Sequence, residues 1–189
     1  PEAEVLVGAR TGRGPFRATR YVASLPLLDV DGLLADGVEL VLVDRDNTCV
    51  PRDAGHAPEA VTDWIARAQR AGIDVCLVSN NFHSREVRAS AEELGIPCVV
   101  DHAMKPAPFA LRRAMRLTGH DAAHTLMVGD QVFTDVLAGN LAGVRTVLVR
   151  PQSTSDLWYT HVFRVFEALP LRGVSFEGEG GPDPADAAE

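Results

Sequence analysis

The sequence predicts an α/β domain, a parallel sheet with helices on both faces. Three observations carry that prediction. Short runs of strand-forming residues alternate with amphipathic stretches of helical period through the middle of the chain. Glycines 72, 95 and 119 close the helical stretches. The polar residues with the most chemistry stand directly after strand-like runs, where open α/β sheets bind ligands.

The elements follow in order. Residues 1–15 contain Gly8, Gly12, Gly14 and Pro15 and read as a loose arm, extending to about residue 20. Its arginines, Arg10, Arg13, Arg17 and Arg20, either sit in solvent or meet an anionic surface. Residues 39–43 read as a buried strand that stops at Asp44. Residues 60–69 read as a helix, with Val61, Trp64, Ile65 and Ala68 at i, i+3, i+4 and i+7. Pro58 suits its first turn and Gly72 its end. A strand at 74–78, a helix at 84–94, a short strand at 98–100 and a helix at 106–117 come next. Strands at 125–128 and 145–149 enclose a helix near 135–142. Leu157, Trp158, His161, Val162, Val165, Phe166 and Leu169 then form an apolar helical stripe. It reads as core packing, with a membrane-surface or partner helix as the alternative. The domain proper is placed at 21–172, and the Gly-, Pro- and acid-rich residues 173–189 read as a disordered tail.

Composition excludes several function classes. The 189 residues are 46% hydrophobic, enough for one globular core. No apolar run approaches the roughly 18 residues of a spanning helix. Most of the net charge of −8 comes from the five acids of the tail, and no basic stripe suggests nucleic acid. Cys49, Cys76 and Cys98 show no C-x-x-C spacing, which argues against a disulfide scaffold or a zinc site. They fit a reducing cytoplasm.

Four segments converge on the carboxyl ends of the strands: Asp44-Arg45-Asp46-Asn47-Thr48, Ser79-Asn80-Asn81, Lys105-Pro106, and Gly129-Asp130 through Asp135. Asp44, Asp46, Asp130 and Asp135 would repel one another if left unpaired. A hard cation with oxygen ligands removes that conflict, and Mg²⁺ suits few carboxylates plus a phosphate oxygen. Lys105 and the groups around Ser79 would complement a phosphoryl group. Taken singly, each segment could merely cap a helix or a turn; in order at successive strand ends, they describe phosphoryl transfer. Lys105 is the sole lysine among 18 Lys and Arg, so its placement here carries weight.

These segments resemble the four motifs of the haloacid dehalogenase (HAD) superfamily: D-x-D-x-T, a serine after the second strand, a lysine, and G-D-x(4)-D. The motif residues Asp44, Ser79, Lys105 and Asp130 are separated by 35, 26 and 25 residues. Val78-Ser79-Asn80-Asn81, Lys105-Pro106, Gly129 to Val136 with Gly139-Asn140, and Pro151 with Ser155-Asp156 resemble the YqeG-type branch, subfamily IIIA. The resemblance implies a Rossmann-like HAD fold. It also implies Asp44 as nucleophile, Asp46 as acid and base, and Thr48 holding the loop at the substrate. Ser79 and Asn80 would contact phosphoryl oxygens, and Lys105 would join nucleophile and phosphate. Mg²⁺ would be held by Asp44, the Asp46 carbonyl, Asp130 and Asp135.

Two residues depart from the usual pattern. Cys49 follows the first motif where a bulky aliphatic residue is common, which reads as packing. Arg45 stands between the two aspartates, and a basic residue there is similar to the mitochondrial phosphatidylglycerophosphate phosphatases of the same broad branch. No cap domain fits between the motifs, so the expected site is open. That favours a large or membrane-borne phosphate ester, or an oligomeric partner covering the cleft, and allows peripheral membrane contact. Two alternatives stand beside an aspartyl-phosphate phosphatase. One is a receiver-type module with Asp101 as acceptor; the other is a retired HAD scaffold that binds a partner.

Overall fold

The computed structural model describes residues 14–153, 171 and 174–178. The chain runs through β1 (Arg20–Val22), α1 (Val30–Ala35), β2 (Leu40–Val43), α2 (Glu59–Arg70), β3 (Asp74–Val78) and α3 (Ser84–Glu93). It continues through β4 (Cys98–Val100), α4 (Phe109–Thr118), β5 (Thr125–Gly129), α5 (Leu137–Ala142) and β6 (Arg145–Val149). The six strands pair in parallel in the order β1-β6-β5-β2-β3-β4.

Side-chain alternation explains why β2 lies in the middle. Its Leu-Val-Leu-Val has no polar residue, so both faces demand cover. Val41 and Val43 join Val75, Leu77 and Val128 in a core under α2 and α3. Leu40 and Leu42 join Cys76, Val78 and Met127 under α4 and α5. The helix expected at 60–69 forms over Glu59–Arg70 and buries the four predicted apolar residues. Its Trp64 donates Nε1–H to the Leu28 carbonyl at 2.7 Å, which satisfies the indole's polar end inside the core.

Several boundaries differ from expectation. α4 begins at Phe109 rather than 106, because Pro106 and Pro108 delay regular helix. A π-helical turn, Val132–Val136, precedes α5. α1 was not expected; it is nucleated by Asp29, whose carboxylate accepts from the Asp31 and Gly32 amides.

Both ends of the described chain are more ordered than the composition suggests. The arm expected to stay loose to residue 20 is docked over residues 18–20. Ala18 is buried, the Thr19 amide donates to the Thr146 carbonyl at 2.9 Å, and Arg20–Val22 is an edge strand on β6. The tail expected to be disordered from residue 173 is likewise docked over 174–178. Phe176 is buried with Ala18, Val132, Val136 and Leu148, and the Arg150 guanidinium lies 3.9 Å from its ring centre. Glu177 bridges to Val22 and pairs with Arg20. Hydrophobic burial of one aromatic ring outweighs the polar composition around it. The 157–169 stripe, Ser155, Asp156, Arg10 and Arg13 lie outside the described residues. Among the described residues no helix is long and apolar enough to cross a membrane.

Candidate active site

The first motif leaves β2 as a tight turn. The Asp44 amide extends the ladder by donating to the Val128 carbonyl at 3.0 Å. Asn47 takes a left-handed φ of 59°, which asparagine tolerates, and its amide donates to the Val50 carbonyl. The amides of Cys49 and Val50 both return to the Arg45 carbonyl. The loop after β6 clamps this turn from outside. Ser153 donates its hydroxyl to Asn47 Oδ1 at 2.7 Å, and Gln152 donates its backbone and side-chain N–H groups to the Asn47 and Thr48 carbonyls.

Lys105 stands at the centre. Its buried ammonium donates to Asp44 Oδ1 at 2.7 Å, Asp135 Oδ1 at 2.6 Å and the Val78 carbonyl at 2.9 Å. Three protons thus meet three acceptors. The backbone of Lys105 is fixed too: Asn80 accepts from its N–H at 2.8 Å and donates to its C=O at 3.0 Å. The Lys105–Pro106 peptide is cis.

Asp44, Asp130 and Asp135 each offer an oxygen within 4.8 Å of the others, and all three are buried. Burial, resisted by Lys105 and reinforced by Asp135, pushes the Asp44 carboxyl up to about 7. Burial, then Asp135 and Asp44, hold the Asp130 carboxyl well above its ordinary value. Asp130 Oδ1 is buried without a hydrogen-bond partner. Fully ionised, these four side chains, three carboxylates and one ammonium, would leave two negative charges among buried groups. A divalent cation with oxygen preference fits that donor set. Asp135 reaches the group only because residue 129 is glycine: a Cβ there would lie 2.2 Å from the Asp135 carboxyl carbon. The other Asp135 oxygen accepts from the Gln131 amide at 3.1 Å.

The remaining predicted residues divide. Ser79 is buried beside the site; its Oγ accepts from the Asn81 amide at 3.1 Å, leaving its own proton to donate. Thr48 Oγ1 is buried and unpartnered. Asp46 does not join the three-carboxylate group. Its side chain pairs with Arg45, whose Nε donates to Ser90 Oγ at 2.8 Å. Asn80 is engaged with the Lys105 backbone, which makes it a positioning residue in this structure. Arg45, Asn47, Gln152 and Ser153 were not expected in the framework. The signal for the last two was available: they follow a strand end, as the four motifs do. Burial raises the Cys49 thiol far above its ordinary value, in keeping with a packing role.

Comparison with known proteins agrees with this geometry. Residues 102–165 match the HAD-hydrolase-like family model. The probable phosphatase YqeG of Bacillus subtilis is 33% identical over 163 residues, covering 86% of this chain and 94% of the relative. This chain belongs to the HAD superfamily, in its YqeG-type branch. It is a phosphatase. The chloroplastic and mitochondrial phosphatidylglycerophosphate phosphatase 1 of Arabidopsis thaliana is 30% identical over 71% of this chain, which spans 41% of that protein. Among solved structures, the cobalt-bound deoxy-D-mannose-octulosonate 8-phosphate phosphatase of Haemophilus influenzae shares the fold. Its TM-score is 0.50 at 18% identity, over 72% of this chain and 88% of that one. The phosphatase thus has the Rossmann-like HAD fold. Among the described residues, 44–58 hold turns and one isolated bridge and 79–97 a single helix, so neither crossover carries a cap insertion.

Proposed function

We propose that the phosphatase hydrolyses phosphate monoesters with Mg²⁺ through an aspartyl-phosphate on Asp44. The observation that carries the reading is the Lys105 ammonium bridging Asp44 and Asp135, beside the orphaned Asp130 oxygen. Asp44, Asp130, Asp135 and the Asp46 carbonyl would hold the metal, which supplies charge neutralisation at the phosphoryl oxygens. Lys105 fixes Asp44 Oδ1, so the other oxygen attacks phosphorus. The phosphorus–oxygen bond to the leaving group breaks as Asp46, protonated and turned away from Arg45, gives that oxygen a proton. Water then attacks phosphorus; Asp46 takes its proton, and inorganic phosphate leaves while Asp44 is restored. Ser79 donates to a phosphoryl oxygen, and Thr48 helps hold the nucleophile loop at the substrate.

The capless site and the phosphatidylglycerophosphate phosphatase relative support a large ester such as phosphatidylglycerophosphate as substrate. Three free cysteines, two of them buried, support a reducing, cytoplasmic setting. A receiver-like or retired module would share the fold but stop at one phosphate or take none.

Turnover of an aryl phosphate decides among these. Metal-stripped protein should be inactive and recover with Mg²⁺. Asp44→Asn should lose turnover and the acid-quenched phosphoenzyme while keeping its thermal melt. Asp46→Asn should instead slow both steps by about 10²–10⁴, most for poor leaving groups. Undiminished activity after stripping, or a phosphoenzyme in Asp44→Asn, overturns the mechanism.

A further inference from the structure

The corner of the molecule beside the site exposes large apolar side chains. Phe82, in the loop after β3, is 70% exposed; Met104, in the loop after β4, is 64% exposed; Phe109, first in α4, is 68% exposed. The two loops are one unit: Asn80 holds both backbone groups of Lys105, the Ala103 amide donates to the Ser79 carbonyl, and Phe82 packs edge-on against His102. β4 is the sheet edge here, with α3 and α4 on opposite faces. Arg85 leaves the first turn of α3, and Arg112 and Arg113 leave the first turns of α4, all exposed; Arg112 spends one N–H on the Leu141 carbonyl at 3.1 Å and keeps the rest. α4 carries three arginines and no acid, in a chain of net charge −8.

We infer that this corner docks on an anionic phospholipid bilayer, with the phenylalanines and Met104 entering the interface and the arginines meeting lipid phosphates. Charge selects the occupant. An acidic protein is repelled by an anionic surface unless the approaching face is locally basic; here Arg85, Arg112 and Arg113 outnumber the acids beside them, Glu86 and Asp101. Shape agrees: the apolar groups are separate projections on loop tips and a helix start, suited to insertion between headgroups. Docking here sets the open cleft next to the surface, so a lipid phosphate reaches Asp44 without leaving the bilayer. That last step rests on the proposed phosphomonoesterase; the docking itself does not.

The test is co-sedimentation of the full chain with phosphatidylcholine vesicles, with and without phosphatidylglycerol, with aryl phosphate turnover measured in parallel. Wild type should bind the phosphatidylglycerol vesicles and be released by salt. Phe82→Ser with Phe109→Ser, and separately Arg112→Gln with Arg113→Gln, should each weaken binding by on the order of tenfold and leave aryl phosphate turnover unchanged. Phe82→Trp should bind like wild type and shift its added emission to the blue on those vesicles. No vesicle binding by wild type, as expected if the corner fits a protein partner, overturns the inference; so does equal binding by wild type and both double variants, or an unshifted Phe82→Trp spectrum. Absent turnover with intact vesicle binding would overturn the phosphomonoesterase reading and leave the docking standing.

Discussion

At the residue scale, Lys105 explains why a chain rich in arginine holds one lysine. Its ammonium has three protons and meets three acceptors within 2.9 Å in a buried pocket. Guanidinium is planar, wider and fixed in its fork, so it cannot serve those three directions from one atom. Lys105→Arg should therefore lose nearly as much kcat/KM as Lys105→Ala, on the order of 10²-fold or more. The measurement is made at saturating Mg²⁺ with folding checked by melting. Near-wild-type efficiency in Lys105→Arg would mean that only positive charge matters there. The residue itself was legible in the sequence because residue type and position coincided. Asn80 was harder. Its motif position suggested phosphate contact, but a primary amide has both a donor and an acceptor, and the Lys105 backbone meets both.

At the element scale, the strands were legible because burial on two faces leaves an unbroken apolar run, as in β2 and in Leu126, Met127 and Val128 of β5. β1 and α1 were not. Three residues at an edge carry too little pattern, and α1 depends on the Asp29 cap. The turn after α4 illustrates a link that periodicity never shows. His120 places Nε2 at 2.9 Å from Asp74 of β3 and Nδ1 at 3.2 Å from Glu39, just before β2. Burial alone would lower the imidazole's pKa, but the Asp74 and Glu39 carboxylates outweigh it and raise it above 6.5. A raised folded-state pKa means that the protonated ring stabilises the fold. The contribution is full below about 6.5 and fades as pH rises through the folded value. The melting temperature of His120→Gln should thus fall short of wild type at pH 5.5 by more than at pH 8.5. A constant gap across that range would show that the ring acts through packing alone.

At the scale of the whole molecule, residues 18–22 and 174–178 meet on one edge of the sheet. Phe176 lies in a small cluster with Val132 and Val136, which belong to the turn that carries Asp135. The Arg20–Glu177 ion pair beside it is exposed, and such pairs contribute little. The ring should therefore dominate. Phe176→Ala is expected to cost about 3 kcal/mol in denaturant unfolding, whereas Glu177→Gln should change stability by under about 1 kcal/mol. Equal effects would place the anchor in the ion pair. Composition hid this contact because one aromatic among glycines and acids does not alter a window average.

The strand order β1-β6-β5-β2-β3-β4 also dictates a sequence of events during synthesis. β2, β3 and β4 lie side by side in the order in which they are made, so that half can pair as it leaves the ribosome. β1 must wait: Thr19 finds Thr146 only 127 residues later. Lys105 follows β4 and belongs to the early half, whereas Asp130 and Asp135 emerge with β5 and after it. Because Lys105 precedes Asp130 and Asp135 in the chain, the ammonium is already made before the three carboxylates can gather.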